Sequence, residues 1–191
     1  RCTSSAASDV YKRQIFVMTK RKIILVPDEI LKKKSEKIEK LTNKEKQLAD
    51  DLFETMYKSN GIGLAAVQVG VLRRMIVIDV SKKDEKKKPL CLINPVIKSF
   101  GKDRSTYEEG CLSIPETFIE IERPKTCIVE YIDISGNKTK MECDGLLSTC
   151  IQHEINHLDG KLIIDFLSKL KKDILIKKLS KNKNTSSRVI V

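Results

Sequence analysis

The sequence predicts one domain that combines α-helices with β-strands, and three observations support this prediction. Short apolar runs rich in β-branched residues, at residues 75–80, 90–93 and 126–132, are typical of buried strands. Two longer segments have the apolar spacing of helices, and a third segment carries a pair of histidines on a predicted helix. At 191 residues, the chain is long enough to bury one substantial core.

The domain is predicted to span residues 18–180. Residues 1–17 are rich in small residues and lack apolar periodicity, so we expect a disordered or artefactual extension that precedes a natural start at Met18. Residues 181–191 are expected to form a frayed C-terminal tail. Nothing near the N-terminus resembles a secretion signal, and no apolar run approaches the roughly 18 residues of a membrane span.

The first half of the chain contains one clearly predicted helix. Thr42 and Glu45 have the spacing of a capping box, which indicates a helix start. The helix should run to about Ser59 and end at Asn60 and Gly61. Its buried side is predicted to carry Leu48, Leu52, Phe53 and Met56.

A segment of small residues, 61–70, follows this helix. Gly61 and Gly63 permit unusual dihedral angles and a close approach of the backbone to other atoms. No Lys-Ser or Lys-Thr pair closes the segment, so it is not a phosphate-binding loop. Gln68 is its one polar side chain, and a buried amide needs a hydrogen-bonding partner.

The middle of the chain is predicted to be rich in strands. A charged loop at residues 82–88 separates the first two strands, at 75–80 and 90–93. Two further strands are expected at residues 126–132 and 138–143.

The two histidines of the chain, His153 and His157, belong to a single His-Glu-x-x-His motif. The motif lies in a predicted helix over residues 145–158, where side chains four positions apart share one face. Two neutral imidazoles at this spacing form half of a divalent-metal site, and Glu154 is placed to move protons beside it. The alternative is two ordinary histidines on a helix.

One of the six cysteines is expected to supply the third ligand, and the thiols are expected to be reduced in the cytosol. Cys111 is favoured because a ligand from a separate strand closes the site from another side. Cys150 is the rival, since it lies three residues before His153 on the same helix. Cys127 and Cys143 are predicted to pack as small apolar residues within strands.

The end of the chain is basic. From Ser168 onward a lysine-rich amphipathic helix is predicted, and the whole chain has a net charge of +11. Such a charge suits a solvated surface and also an anionic partner such as ribosomal RNA. One side of this helix is predicted to carry Leu170, Ile174, Leu175 and Leu179.

Three segments together resemble the signature motifs of the bacterial type of the peptide deformylase family. They are residues 61–68, 109–113 and 152–157, in the order and spacing of that family, and the resemblance extends over residues 23–178. Three positions depart from the family pattern. They are Val67, where Pro or Thr is usual, Thr149, where an apolar pocket residue is usual, and Phe118, where some members have Arg.

The resemblance implies an α+β fold in which antiparallel sheets pack around a central helix that carries the His pair. It also implies an enzyme that removes the formyl group from the N-terminal formyl-methionine of newly synthesised polypeptides and releases formate. We also expect a cytoplasmic monomer without membrane association, and contact to the ribosome exit region through the basic C-terminal helix.

The resemblance also implies a role for each site residue. Cys111, His153 and His157 would hold one divalent metal ion, with Fe(II) expected first and Zn(II) or Ni(II) as alternatives. Glu154 would be the acid and base, and Gln68 with the backbone N–H of Leu112 would stabilise the oxyanion. The implied substrate-binding residues are Gly61, Ile62, Gly63, Glu109, Leu146 and Cys150.

Two other functions fit parts of the sequence. A zinc peptidase of the His-Glu-x-x-His type would take its third ligand downstream of the motif, where only Asp159, Asp165 and Asp173 are available. A non-enzymatic module that binds RNA or the ribosome would use the basic helix that begins at Ser168.

Overall fold

The structure is a computed structural model that describes residues 19–82 and 85–185. Within these residues it contains the predicted mixture of helices and strands. The helices are α1 (Asn43–Lys58), α2 (Gly145–Leu158) and α3 (Lys169–Thr185). The strands are β1 (Gly63–Ala65), β2 (Met75–Ile78), β3 (Leu90–Phe100), β4 (Arg104–Cys111), β5 (Ile114–Pro124), β6 (Thr126–Ile132) and β7 (Lys138–Asp144).

The strands form two antiparallel sheets. Five strands make the larger sheet in the order β1-β2-β3-β6-β7, and every neighbouring pair in it is antiparallel. Strands β4 and β5 form a separate long hairpin. The predicted α+β class with antiparallel sheets is therefore confirmed.

Helix α2 lies at the centre of the fold, and ten of its fourteen residues are buried. One side of α2 contributes Ile151 and Ile155 to an apolar cluster with the larger sheet. Another side meets the β4–β5 hairpin, where His153 contacts Glu109. Because protein surrounds α2 on most sides, its polar side chains are held by other protein groups.

Helix α1 covers the opposite face of the larger sheet. Alternate residues of β2 point to opposite faces of the sheet, so Ile76 packs toward α2 and Met75 packs toward α1. The predicted capping box of α1 forms, with the Thr42 N–H donating to the Glu45 carboxylate at 2.9 Å. Its predicted inner side is buried at Leu48, Leu52 and Met56 and half-buried at Phe53.

The sequence prediction expects Cys111 on a separate strand but gives no bounds for the two strands of the β4–β5 hairpin. Strand β4 is polar along most of its length, so its sequence lacks the apolar alternation of a half-buried strand. The buried face of β5 carries Ile119, Ile121 and Arg123. The arginine interrupts the apolar pattern because its partner, Glu109, comes from the neighbouring strand.

Helix α3 begins as predicted, but its packed side differs. Leu175, Ile176 and Leu179 pack against an apolar cluster that includes Ile119 and Ile121 of β5. Leu170 and Ile174, which the sequence groups with Leu175 and Leu179 on one side, are 71% and 60% exposed, so this apolar side is packed only in part. No helix in the described part of the chain is both long enough and apolar enough to cross a membrane.

Helix α3 reaches Thr185 and so includes residues 181–185, which the sequence assigns to the tail. The predicted extension at residues 1–17 and the final residues 186–191 lie outside the described part of the chain.

Strand β3 runs past Asn94 and Pro95, where the sequence predicts its end. Asn94 has a φ of 51°, and the pairing of β3 with β6 shifts register between Ile93 and Val96. The Asn94 side chain takes the place of a strand partner for Ile38, accepting from its N–H at 2.9 Å and donating to its carbonyl at 2.8 Å. Asn94 thus bonds the loop that contains Ile38 to the larger sheet.

We expect Asn94→Ala to lower the free energy of unfolding by roughly 2–3 kcal/mol, because two hydrogen bonds are lost and alanine disfavours a positive φ. Asn94→Gly loses the same bonds without the backbone strain, so it should be less destabilising by about 1 kcal/mol. Urea denaturation of both variants measures the difference. Equal stability of the two variants would contradict the strain argument.

Candidate active site

Three metal-ligand side chains from distant parts of the chain meet beside α2. Cys111 ends β4, whereas His153 and His157 lie one turn apart on α2. Cys111 Sγ is 3.2 Å from His157 Nε2, and the two imidazole centroids are 5.0 Å apart. One ligand atom of each residue lies within 4.8 Å of the others, so bonds of about 2.0–2.3 Å can reach a common ion. Among the described residues, no other trio of His, Cys, Asp and Glu converges in this way.

Glu109 fixes the orientation of His153. Glu109 Oε2 lies 2.8 Å from His153 Nδ1, so Nδ1 donates to the carboxylate and Nε2 remains as the ligand atom, where a bound cation would take the place of its proton. Arg123 donates two hydrogen bonds to Glu109, at 2.5 and 2.9 Å, and a third to Asn156 at 2.8 Å. Arg123 and Glu109 are both buried, so this ion pair is shielded from water.

These contacts set the charges of the site. Burial alone would raise the pKa of Glu109, but hydrogen bonds with His153 and Arg123 lower it overall. Burial would lower the pKa of His153, but hydrogen bonds with Cys111 and Glu109 raise it to about 10. Burial and the positive charges of His153 and Arg123 hold the pKa of His157 well below its usual value, so its ring is neutral and suited to a metal.

The rival ligands lie elsewhere. Cys150 Sγ is directed to a backbone carbonyl at 3.8 Å, and burial raises the pKa of its thiol well above the usual value. Asp159 pairs with Arg74 at 2.7 Å, and Asp165 pairs with Lys172. The third candidate ligand is therefore Cys111, which lies upstream of the His pair, whereas a zinc peptidase of the His-Glu-x-x-His type would take its third ligand from downstream.

Gln68 is buried with its amide directed at the site. Its Oε1 accepts a hydrogen bond from the Ala65 N–H at 2.8 Å, which fixes the orientation of the side chain. Its Nε2 then faces Ser113 Oγ at 3.1 Å and Cys111 Sγ at 3.6 Å. The amide N–H groups can therefore donate to an oxygen atom placed beside Cys111.

Glu154 lies on α2 next to His153 and is also buried. Burial raises the pKa of this carboxyl group to about 7, against the opposing effect of His153. One carboxylate oxygen, Oε2, has no hydrogen-bonding partner among the described residues. A carboxyl group with this affinity for a proton can take one up and release it near neutral pH.

Gly63 permits Glu154 to occupy this position. A Cβ atom at residue 63 would overlap the Glu154 carboxylate and would lie 2.8 Å from Cys150 Sγ. Gly61 is similarly constrained, because a Cβ atom there would lie 2.7 Å from the Leu112 side chain. The glycines of this segment are therefore explained by the close approach of its backbone to the site.

A cavity of about 460 Å³ adjoins these groups. Its wall combines the polar end formed by Cys111, His153 and Glu154 with apolar side chains, and three large apolar side chains at its border are exposed: Ile62, Leu146 and Phe118. The sequence-predicted oxyanion donors Gln68 and Leu112 also line it. So do all the residues predicted to bind substrate: Gly61, Ile62, Gly63, Glu109, Leu146 and Cys150.

The sequence reasoning missed the residues that position the ligands. Arg123 donates to Glu109 and also to Asn156, and Ser113 accepts from Gln68. Arg123 carries one usable signal, because it follows Ile119 and Ile121 on the alternating inner side of β5. Ser113 and Asn156 carry no such signal beyond their proximity to Cys111 and His157 in the sequence.

Comparisons with known proteins agree with this arrangement. The polypeptide deformylase family model matches residues 20–173. A peptide deformylase from Pelagibacter ubique is 52% identical over 174 residues, which cover 91% of this chain and 100% of the relative. One from Bartonella henselae is 49% identical over 176 residues, covering 91% of this chain and 100% of the relative.

Solved structures give the same result. The crystal structure of peptide deformylase from Ehrlichia chaffeensis superposes with a TM-score of 0.83 at 40% identity and covers 88% of this chain and 99% of that chain. The same enzyme in complex with actinonin has a TM-score of 0.82 at 41% identity and covers 86% of this chain and 98% of that chain. With this agreement in sequence and fold over most of its length, the chain belongs to the peptide deformylase family.

Proposed function

We propose that this chain is a peptide deformylase that hydrolyses the formyl group from the N-terminal formyl-methionine of newly synthesised polypeptides and releases formate. The observation that carries the proposal is the meeting of Cys111, His153 and His157 at one end of an apolar cavity, with Glu154 and Gln68 beside them. The cavity can receive an apolar side chain while its polar end faces the formyl group.

Cys111, His153 and His157 would hold one divalent cation. The fit is supported by the 4.8 Å limit on their ligand-atom separations and by the neutral ring of His157. One sulfur and two nitrogen ligands suit Fe(II), Zn(II) or Ni(II), and we propose Fe(II) as the working ion. When bound there, such an ion acts as a Lewis acid that makes water acidic enough to become a nucleophile near neutral pH.

The side chains of this chain would then direct the reaction. Glu154 removes a proton from the attacking water and delivers it to the leaving amine as the C–N bond breaks. The amide of Gln68 and the N–H of Leu112 donate to the formyl oxygen as it becomes negative. Glu109 and Arg123 keep His153 in its ligand tautomer and take no part in bond breaking.

We further propose that the methionine side chain lies in the apolar part of the cavity, against Ile62, Leu146 and Cys150. These residues line the cavity next to His153 and Glu154. We also propose that the reaction takes place in the cytoplasm, where nascent chains leave the ribosome. The monomeric state stays a prediction.

Glu154→Ala should release formate from a formyl-methionyl tripeptide at a rate lower by about 10²- to 10⁴-fold, because the proton carrier is lost. Its metal content should remain that of the wild type, since Glu154 is not one of the three ligands. Elemental analysis after anaerobic purification, run beside the formate assay, tests both statements and identifies the ion. Glu120→Ala, at an exposed position of β5, is the control and should retain wild-type activity. A wild-type protein that released no formate would contradict the proposed function.

Glu109→Gln should weaken metal binding by about 10- to 100-fold, because the amide supports the His153 tautomer less well and leaves Arg123 without a carboxylate. Cys111→Ser should weaken it more, since a ligand itself is replaced. Titration with a competing chelator measures both, and Cys91→Ser on β3 is the control for loss of a thiol. Wild-type affinity in Cys111→Ser would exclude Cys111 as a ligand.

We propose that α3 contacts ribosomal RNA near the exit region. The helix carries exposed lysines around the exposed Leu170 and Ile174. Reversing the charge of Lys171, Lys177 and Lys178 to Glu should abolish co-sedimentation with ribosomes at low salt and leave formate release from a tripeptide unchanged. The control is the same change at the exposed residues Lys34, Lys37 and Lys40. Undiminished sedimentation of the α3 variant would contradict the proposal.

A further inference from the structure

Both ends of the Gln68 amide are bonded within the protein. Its Oε1 accepts a hydrogen bond from the Ala65 N–H at 2.8 Å, and its Nε2 donates to Ser113 Oγ at 3.1 Å. A primary amide has one acceptor oxygen and two N–H donors. Ser113 engages one of these N–H groups, and the other remains on the side of Cys111, whose Sγ lies 3.6 Å from Nε2. This second N–H is the one available to a formyl oxygen.

Ser113 holds this amide from outside the active-site cavity. Gln68 lines the cavity, whereas Ser113 is 0% exposed and is not one of the lining residues. A substrate in the cavity would therefore meet the Gln68 amide but not the Ser113 hydroxyl. The hydroxyl can still affect the formyl group, because it bonds to the amide that the formyl group would contact.

The backbone on both sides of this hydrogen bond is also fixed. The N–H of Ile24 donates to the Gln68 carbonyl at 2.8 Å, and the N–H of Val26 donates to the Ser113 carbonyl at 3.0 Å. One short segment of chain thus spans the two residues, and Val26 within it is buried. The separation of Gln68 and Ser113 is therefore set by the protein itself. An oxyanion donor that is already oriented needs no reorganisation as charge develops on the substrate.

We infer that Ser113 is a positioning residue for the oxyanion donor, because its hydroxyl holds the Gln68 amide with one N–H directed at the formyl oxygen. The inference rests on the proposed deformylase function. It adds that the donor is oriented by a hydrogen bond within the protein and not by the substrate. Without this bond only the Ala65 N–H restrains the amide, whose terminal torsion is otherwise soft.

The test uses the metal-loaded enzyme and a formyl-methionyl tripeptide. Ser113→Ala should lower kcat by roughly tenfold with KM little changed, because the donor is misaligned in the transition state but still present. Gln68→Ala removes the donor itself and should lower kcat by about 10²- to 10³-fold. Ser35→Ala is the control and should retain the wild-type kcat, since Ser35 is also buried and its Oγ has no hydrogen-bonding partner among the described residues.

The double variant distinguishes positioning from a merely structural role. In the Gln68→Ala background, Ser113→Ala should cause no further loss of kcat, because no amide remains to be oriented. Losses that multiply in the double variant would overturn the inference, as would a wild-type kcat in Ser113→Ala. Loss of bound metal from Ser113→Ala, measured by elemental analysis, would also overturn it, since Ser113 would then act on the ligands. Failure of the wild type to release formate would instead refute the function itself.

Discussion

The buried carboxylate of Glu109 connects the two halves of the active site. It accepts two hydrogen bonds from Arg123 on the partner strand of its hairpin and contacts His153 on α2. The hairpin and the helix are thereby held in one relative position, and Cys111, two residues farther along β4, meets the imidazoles. Loss of one member of a buried charged pair typically lowers the free energy of unfolding by about 3–5 kcal/mol. The relative positions of Cys111 and the two histidines therefore depend on an ion pair whose members are not among the three candidate metal ligands.

Sequence reasoning succeeded where the structural cause is local. The capping box of α1 depends on residues three apart, and the His pair of α2 depends on residues four apart, so both can be derived from spacing alone. Strand β2 could also be predicted, because its residues are all apolar and pack against a layer on each face of the sheet. The metal trio required one long-range choice, between Cys111 and Cys150, and the helix geometry favoured the residue that the structure brings to the His pair.

The features that escaped prediction depend on contacts between distant residues. The hairpin of β4 and β5 is polar on one strand, and its inner arginine is explained only by a glutamate 14 residues earlier. Strand β3 continues past Pro95 because the side chain of Asn94 bonds to Ile38, 56 residues away. The packed side of α3 is chosen by the surface beneath it, which includes β5 and the turn at Ile163–Phe166. The apolar periodicity within each of these segments does not indicate which distant residues it will contact.

The direct junction between β7 and α2 restricts how the length of this chain can vary. Strand β7 ends at Asp144 and α2 begins at Gly145, with no intervening loop. One residue inserted between the junction and His153 would turn the following helix by about 100°, carrying both imidazoles away from Cys111. We therefore expect this chain to tolerate inserted residues in the turn between β6 and β7 or in the segment between β2 and β3, but not at this junction. The number of residues between β7 and His153 therefore determines which way the two imidazoles of α2 point.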